Sequence, residues 1–171
     1  MNFNITKVNL VIYHKGCTDG FGSAFAIWKR FPCKDIKYHA AHYDSIPPDV
    51  TGKNVAICDF SYKKNILKQM IKDAESLIVI DHHKTAEEEL KDIDNKYKIF
   101  DMNHSGAYLT WKFFHPNKEV PKLIQYIEDR DLWKFEKENT HEFFSKFKDI
   151  NFSFREYDSL LNQNNLNKLI K

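Results

Sequence analysis

Short apolar runs that stop abruptly on acidic or imidazole residues constrain this chain more than any other feature. Val8 to Tyr13 ends at His14, Val55 to Cys58 at Asp59, Leu77 to Ile80 at Asp81-His82-His83, and Tyr97 to Phe100 at Asp101. These runs are rich in β-branched and aromatic residues and read as strands. Leu77-Ile78-Val79-Ile80 is apolar without alternation, as in a strand buried on both faces of a parallel sheet. Between the runs the apolar residues recur at three- and four-residue spacing, predicting helices over Phe21 to Phe31 and over Lys63 to Ala74 through Ile66, Leu67, Met70 and Ile71. Ser105 is placed to cap a helix through Ala107, Leu109, Trp111 and Phe114. A further apolar and aromatic segment, Ile36 to Tyr43, precedes a turn-rich stretch with Pro47, Pro48 and Gly52.

Strands that alternate with helices call for right-handed crossovers, which give an α/β fold with a mostly parallel sheet flanked by helices. Such sheets bind ligands outside the carboxyl ends of their strands, which is where the polar clusters fall. Beyond Pro121 the pattern is helical, with Lys122 to Asp129 and then an amphipathic segment from about Arg155 to Ile170 forming a helical C-terminal segment. Trp111, Phe113, Phe114 and Trp133 are expected in the core, and His39, His42, His104, His115 and His141 have no ligand spacing.

A chain of 171 residues suits one domain over 1–171, and 42% hydrophobic against 29% charged residues excludes disorder. The formal net charge of +2 is too small to mark a nucleic-acid-wrapping or membrane-surface protein. No apolar stretch reaches the roughly 20 residues of a membrane span, and Met1-Asn2-Phe3-Asn4 does not open like a signal peptide, so a soluble, cytoplasmic protein is expected. Three cysteines, with Cys58 in an apolar run and Cys33 after a proline, argue against a disulfide framework.

The strand-end residues have the chemistry of a metal site. A divalent cation needs several carboxylates, imidazole suits first-row transition metals, and a two-metal centre needs a carboxylate to bridge. Taken singly, each is weak: an aspartate after a strand is usually a cap or turn residue, and the adjacent His82 and His83 alone leave ligation and mere packing evenly matched. Their convergence on one sheet edge carries the reading.

In order along the chain stand His14-Lys15-Gly16-Cys17-Thr18-Asp19-Gly20, Asp59-Phe60-Ser61, Ile80-Asp81-His82-His83-Lys84-Thr85-Ala86, Ser105-Gly106-Ala107 and Ile127-Glu128-Asp129-Arg130-Asp131-Leu132-Trp133. Within residues 8–135 this series resembles the DHH phosphoesterases, a group that includes RecJ-type exonucleases, nano-RNases, cyclic-dinucleotide phosphodiesterases and family II inorganic pyrophosphatases. The resemblance implies a two-metal centre, with Mn²⁺ as the expected cofactor and Mg²⁺, Fe²⁺ or Zn²⁺ as substitutes. His14, Cys17 and Asp59 would hold one metal; Asp19, Asp59, His82 and an acid at Asp129 or Asp131 the other. A water-derived nucleophile would attack phosphorus in line, His83 would contact the phosphate or the leaving oxygen, and Asp81 would orient the histidine pair. Lys84 and the helix start at Ser105 and Gly106 are implied as phosphate contacts.

Two departures from the family pattern bear on this. Cys17 stands where most members carry an aspartate, and a thiolate favours Zn²⁺ or Fe²⁺ over Mg²⁺. No glycine follows Gly106, so the chain lacks the Gly-Gly-His-like motif of the family's smaller C-terminal domain; it is expected to be either minimal or a fragment, with 136–171 as a helical extension. The implied activity is a metal-dependent phosphohydrolase acting on phosphodiester or phosphomonoester bonds of nucleotides or short oligonucleotides, with no membrane partner and with room for a homo-oligomer that covers an open site. Its rivals are a catalytically silent nucleotide- or nucleic-acid-binding module of the same fold and an inorganic pyrophosphatase; the first motif lacks the Asn-Pro-Asp pattern of the latter.

Overall fold

The computed structural model describes residues 3–170; Met1, Asn2 and Lys171 lie outside them, and with Met1 and Asn2 the reading of the chain's opening. Five strands, β1 (Leu10–His14), β2 (Lys37–Ala41), β3 (Asn54–Cys58), β4 (Ser76–Asp81) and β5 (Lys98–Phe100), form one sheet in the order β2-β1-β3-β4-β5. Every pairing is parallel. The α/β fold with a parallel sheet and a helical C-terminal segment is therefore the architecture of this chain.

The alternation of side chains along each strand divides the sheet into two buried faces. Val11, Ala56, Cys58, Ile78 and Ile80 point to one face and pack with Ala24 and Ile27 of α1 (Thr18–Arg30) and Phe114 of α4 (Gly106–Phe114). Leu10, Ile12, Val55, Ile57, Leu77 and Val79 point to the other, where Leu67 and Met70 of α2 (Lys64–Asp73) and Leu90, which ends α3 (Lys84–Glu89), cover them.

A second layer of helices buries the outer side of α1 and α4. Leu123, Ile124 and Ile127 of α5 (Lys122–Asp131), Phe143 and Phe147 of α6 (Thr140–Phe147), Tyr157 of α7 (Phe154–Ser159) and Leu166 of α8 (Gln163–Ile170) join Phe21, Phe25 and Trp111 in one aromatic-rich core. The amphipathic stretch expected as one segment to Ile170 is two helices, because the chain turns at Leu160 to Asn162 after α7. Among the described residues no helix is long and apolar enough to cross a membrane.

The strand order places β1 between β2 and β3, so the connections leave β1 in opposite directions and a crevice opens at the carboxyl ends of β1 and β3. Register then fixes what stands there. Tyr13 pairs with Cys58 and Cys58 with Ile80, so the next residues, His14, Asp59 and Asp81, form one row across three neighbouring strands. Strand spacing of about 4.8 Å brings these side chains within reach of a common centre.

Candidate metal centre

Backbone geometry crowds the site from two directions. Asp59 follows β3 with φ 63, a left-handed conformation that a short polar residue tolerates better than most, and its N–H donates to Ile80 O at 2.9 Å. Gly20, in the first turn of α1, lies so close to the end of β1 that a Cβ there would stand 2.2 Å from His14 O. Its missing side chain lets Cys17 and Asp19 sit beside His14. Gly106 does the same for α4, where a Cβ would meet Asp59 Cβ at 2.7 Å and an Asp19 oxygen at 2.9 Å.

The side chains meet in three overlapping groups whose ligand atoms lie within 4.8 Å of one another: His14, Cys17 and Asp59; Asp19, His82 and Asp131; and Asp59, Asp81, His82 and His83. His82 is the hub. Its Nε2 stands 3.2 Å from Asp59 Oδ1, 3.4 Å from Asp131 Oδ2 and 3.7 Å from Asp19 Oδ2. His14 Nδ1 lies 3.5 Å from Asp59 Oδ2. None of these approaches is aligned as a hydrogen bond, and both Asp59 oxygens and His14 Nδ1 are buried without a partner. Buried polar atoms are almost always satisfied, so three orphans aimed at one centre mark a place for a ligand.

Charge tells the same story. Burial pushes the fully buried Asp19 carboxyl up, and the charges of Asp59 and Asp131 push it further. Burial and then the Asp59 charge also raise Asp131 and drive the Cys17 thiol up to about 12. Burial works against the Asp59 carboxylate as well, but the imidazoles of His14 and His82 beside it hold it below the usual carboxylate range. Crowded anionic groups with orphaned lone pairs are the arrangement that a divalent cation relieves. Three carboxylates, imidazoles and a thiol have the chemistry of metal ligands, and the groups His14–Cys17–Asp59 and Asp19–His82–Asp131 could each hold an ion.

Asp81 and His83 stand around this centre. One Asp81 oxygen accepts from His82 N at 2.8 Å, from His83 N at 3.3 Å and from His83 Nδ1 at 2.7 Å, which fixes the backbone of the histidine pair and the His83 imidazole. That hydrogen bond pushes His83 up to about 9 against the opposing effect of burial. His83 is half exposed, with its ring centroid 4.5 Å from that of His82 and 6.4 Å from that of His14.

Several sequence expectations are corrected. Asp129 is not at the centre: its carboxylate accepts from Glu136 N, Lys137 N and Thr140 Oγ1, at 2.9, 3.2 and 2.5 Å, and so clasps the loop after α5. Asp131, two residues and about 200° further round the helix, faces His82 instead. Ser105 and Gly106 are not open to a phosphate. Ser105 is buried and caps α4, and the N–H groups of Gly106 and Ala107 donate to the two Asp19 oxygens at 2.7 and 3.0 Å, so an internal carboxylate occupies that helix start. Lys84 is exposed with no hydrogen bond or ion pair to any residue of the centre, and Asp101 accepts from Asn103 N in a turn away from it.

Trp133, expected in the core, is 76% exposed. His42, expected to be incidental, packs edge-on against His14 with ring centroids 5.7 Å apart. It lacked any sequence signal, because it reaches the site through the β1–β2 pairing rather than through spacing. Trp133, Phe135 and Asn139 adopt positive φ values of 54, 49 and 65, a conformation that Asn tolerates but that costs about 1–2 kcal/mol for each of the two bulky residues.

The chain is 38% identical over 186 residues to an uncharacterised protein of Acanthamoeba polyphaga mimivirus, an alignment that covers 98% of this chain and 44% of that protein. The chain thus spans less than half the length of that relative. A crystal structure of an uncharacterised protein from Helicobacter pylori superposes with a TM-score of 0.61 at 15% identity, over 96% of this chain and 55% of that one. At that identity the likeness is one of fold. The chain matches no protein-family model.

Proposed function

We propose that this chain is a metal-dependent phosphohydrolase of the DHH phosphoesterase type, acting on phosphodiester or phosphomonoester bonds of nucleotides or short oligonucleotides. The observation that carries the reading is the centre itself: Asp59, strained and buried with both oxygens orphaned, stands between the His14–Cys17 group and the Asp19–His82–Asp131 group. Both groups come from segments that resemble the family's ordered motifs. When bound, two divalent cations supply Lewis-acid stabilisation of charge on the transferring phosphoryl group and activation of water.

The chain's own residues do the rest. Asp59, whose two oxygens neighbour the His14 and His82 imidazoles respectively, would contribute to holding both ions. The start of α4 holds Asp19 by two N–H donors, so this ligand keeps its place without reorganisation. Asp81 anchors His83 through Nδ1, which leaves Nε2–H as a donor to a phosphate oxygen or to the departing alkoxide. A cleft of about 250 Å³, lined by His14, Phe60, Ser61, Asp81, His83 and Ala86 among others, gives a phosphate ester access to these groups.

The test is hydrolysis of dinucleotides, cyclic dinucleotides, 3′-phosphoadenosine-type nucleotides and an aryl phosphodiester with Mn²⁺, beside the Asp59→Asn variant. Turnover of at least one substrate that falls about 10³-fold or more in Asp59→Asn supports the reading. Absence of turnover with every divalent metal sinks it.

A further inference from the structure

We infer that the cleft formed by Trp133, Arg130 and Lys148 beside the metal centre is a nucleobase subsite, which stacks a base of the substrate on the indole and takes the adjoining phosphate on the two cations. The inference rests on the phosphohydrolase reading and narrows its substrate to a nucleotide chain that extends past the reacting phosphorus.

An aromatic ring that large is normally buried. Trp111 is buried and Trp28 partly so, yet Trp133 stands 76% exposed on a backbone with φ 54. Its loop is built to hold it there. Trp133 N donates to Arg130 O, Lys134 N donates to Asp129 O, and the Asp129 carboxylate accepts from Glu136 N, Lys137 N and Thr140 Oγ1. Behind the indole, Phe135 meets it edge-on at 5.5 Å and is itself stacked on His141 at 4.4 Å and 5°. Backbone strain that persists under a saturated hydrogen-bond clasp, and that displays an apolar ring to water, is a signature of a binding site rather than of stability.

The surroundings fit a nucleotide. A cleft of about 420 Å³ runs from Trp133 past Arg130, Phe144 and Lys148 to Cys17 and Asp131, which also belong to the metal centre. The Arg130 guanidinium is held 4.9 Å over the Phe144 ring, which orders it as a donor fork. An indole that offers a face together with two cations is the combination by which single-stranded nucleic acid is held, stacking for the base and charge for the backbone. The 250 Å³ cleft at His14 and His83 shares no lining residue with this one. A phosphodiester seated at the metals therefore has a separate place for the group on either side, and a phosphomonoester fills only one.

The test uses the 171-residue chain and the dinucleoside monophosphate ApA. With Ca²⁺ in place of Mn²⁺ to slow turnover, ApA should quench the exposed tryptophan emission saturably, glycerol 3-phosphate should not, and Trp133→Leu should abolish the quench. With Mn²⁺, Trp133→Leu should raise KM for ApA about 10-fold or more with kcat changed less than about 3-fold, while Trp133→Phe should restore most of the KM. Trp133→Gly, which relieves the backbone, should melt no lower than the wild type. Hydrolysis of ApA with the same KM in wild type and Trp133→Leu overturns the subsite and leaves the hydrolase standing. A saturable quench without turnover under any divalent metal keeps the subsite and removes the hydrolase. Absence of both, or a Trp133→Gly variant that melts well below wild type, which would make the indole a structural element, overturns the inference.

Discussion

Replacing Asp59 by Asn keeps the shape of the side chain and removes one negative charge from the middle of the centre. Ligand oxygens there lie within 4.8 Å of neighbouring ligand atoms, and two unit charges at such a separation repel by about 3.5 kcal/mol at an effective dielectric constant of about 20. Proton uptake by the raised Asp19 and Asp131 relieves part of this, and the imidazoles of His14 and His82, which favour the charged Asp59, offset more of it. Asp59→Asn should therefore melt within about 4 °C of the wild type in EDTA, a difference of about 1 kcal/mol for a chain of this size. Mn²⁺ should separate the two. A metal present at about 100 times its dissociation constant stabilises the folded state by about 2.7 kcal/mol, so the wild type should gain about 5–11 °C and the variant less than about 2 °C. Thermal unfolding followed by circular dichroism in EDTA and in Mn²⁺ reads both effects. A wild type indifferent to Mn²⁺, melting with Asp59→Asn in its presence as in EDTA, would show that Asp59 is an ordinary structural acid and would refute the metal centre.

Three further outcomes follow from the same geometry. Cys17→Asp exchanges a soft ligand for a hard one, so the ratio of Mn²⁺- to Zn²⁺-supported activity should rise about 10-fold; an unchanged ratio would place the thiol outside the centre. Asp129→Ala removes three hydrogen bonds to a buried carboxylate and should destabilise the fold by about 3 kcal/mol, while metal content stays at the wild-type level; loss of metal with unchanged melting would reinstate Asp129 as a ligand. His115 is buried, with Nε2 2.8 Å from Ala26 O, and burial lowers its affinity for protons in the folded state. The unfolded chain then binds that proton more readily, so the contribution is full above about pH 6.5 and is lost as pH falls through the folded value. Melting temperature should drop between pH 7 and 5, and His115→Asn should flatten the drop; an identical slope in the variant would remove His115 as its source.

Much of the frame is local and could be read from residue order. β1, β3 and β4 are strands rich in β-branched residues buried on both faces, and helical stretches separate β1 from β2, β3 from β4 and β4 from β5, as parallel pairing requires, while a turn-rich loop joins β2 to β3. Placement of His14, Asp59 and Asp81-His82-His83 at strand ends needs only the point at which each run stops being apolar. The metal-ligand character of the set likewise lies in its residue types.

What tertiary structure decided is which of these atoms meet. Asp129 and Asp131 are indistinguishable as letters, but two residues along a helix turn the side chain about 200°, so one clasps a loop and the other faces His82. Gly106 reads as a phosphate cradle until the approach of α4 to Asp59 shows why a Cβ cannot stand there, and Asp19 is seen to occupy the helix start itself. Trp133 reads as core by residue type, yet its exposure is set by a left-handed backbone and by hydrogen bonds from residues up to Thr140. Periodicity reports the environment of a segment along its own axis. Proximity between segments, and the burial that orphans an oxygen or exposes a ring, exists only once the layers have packed.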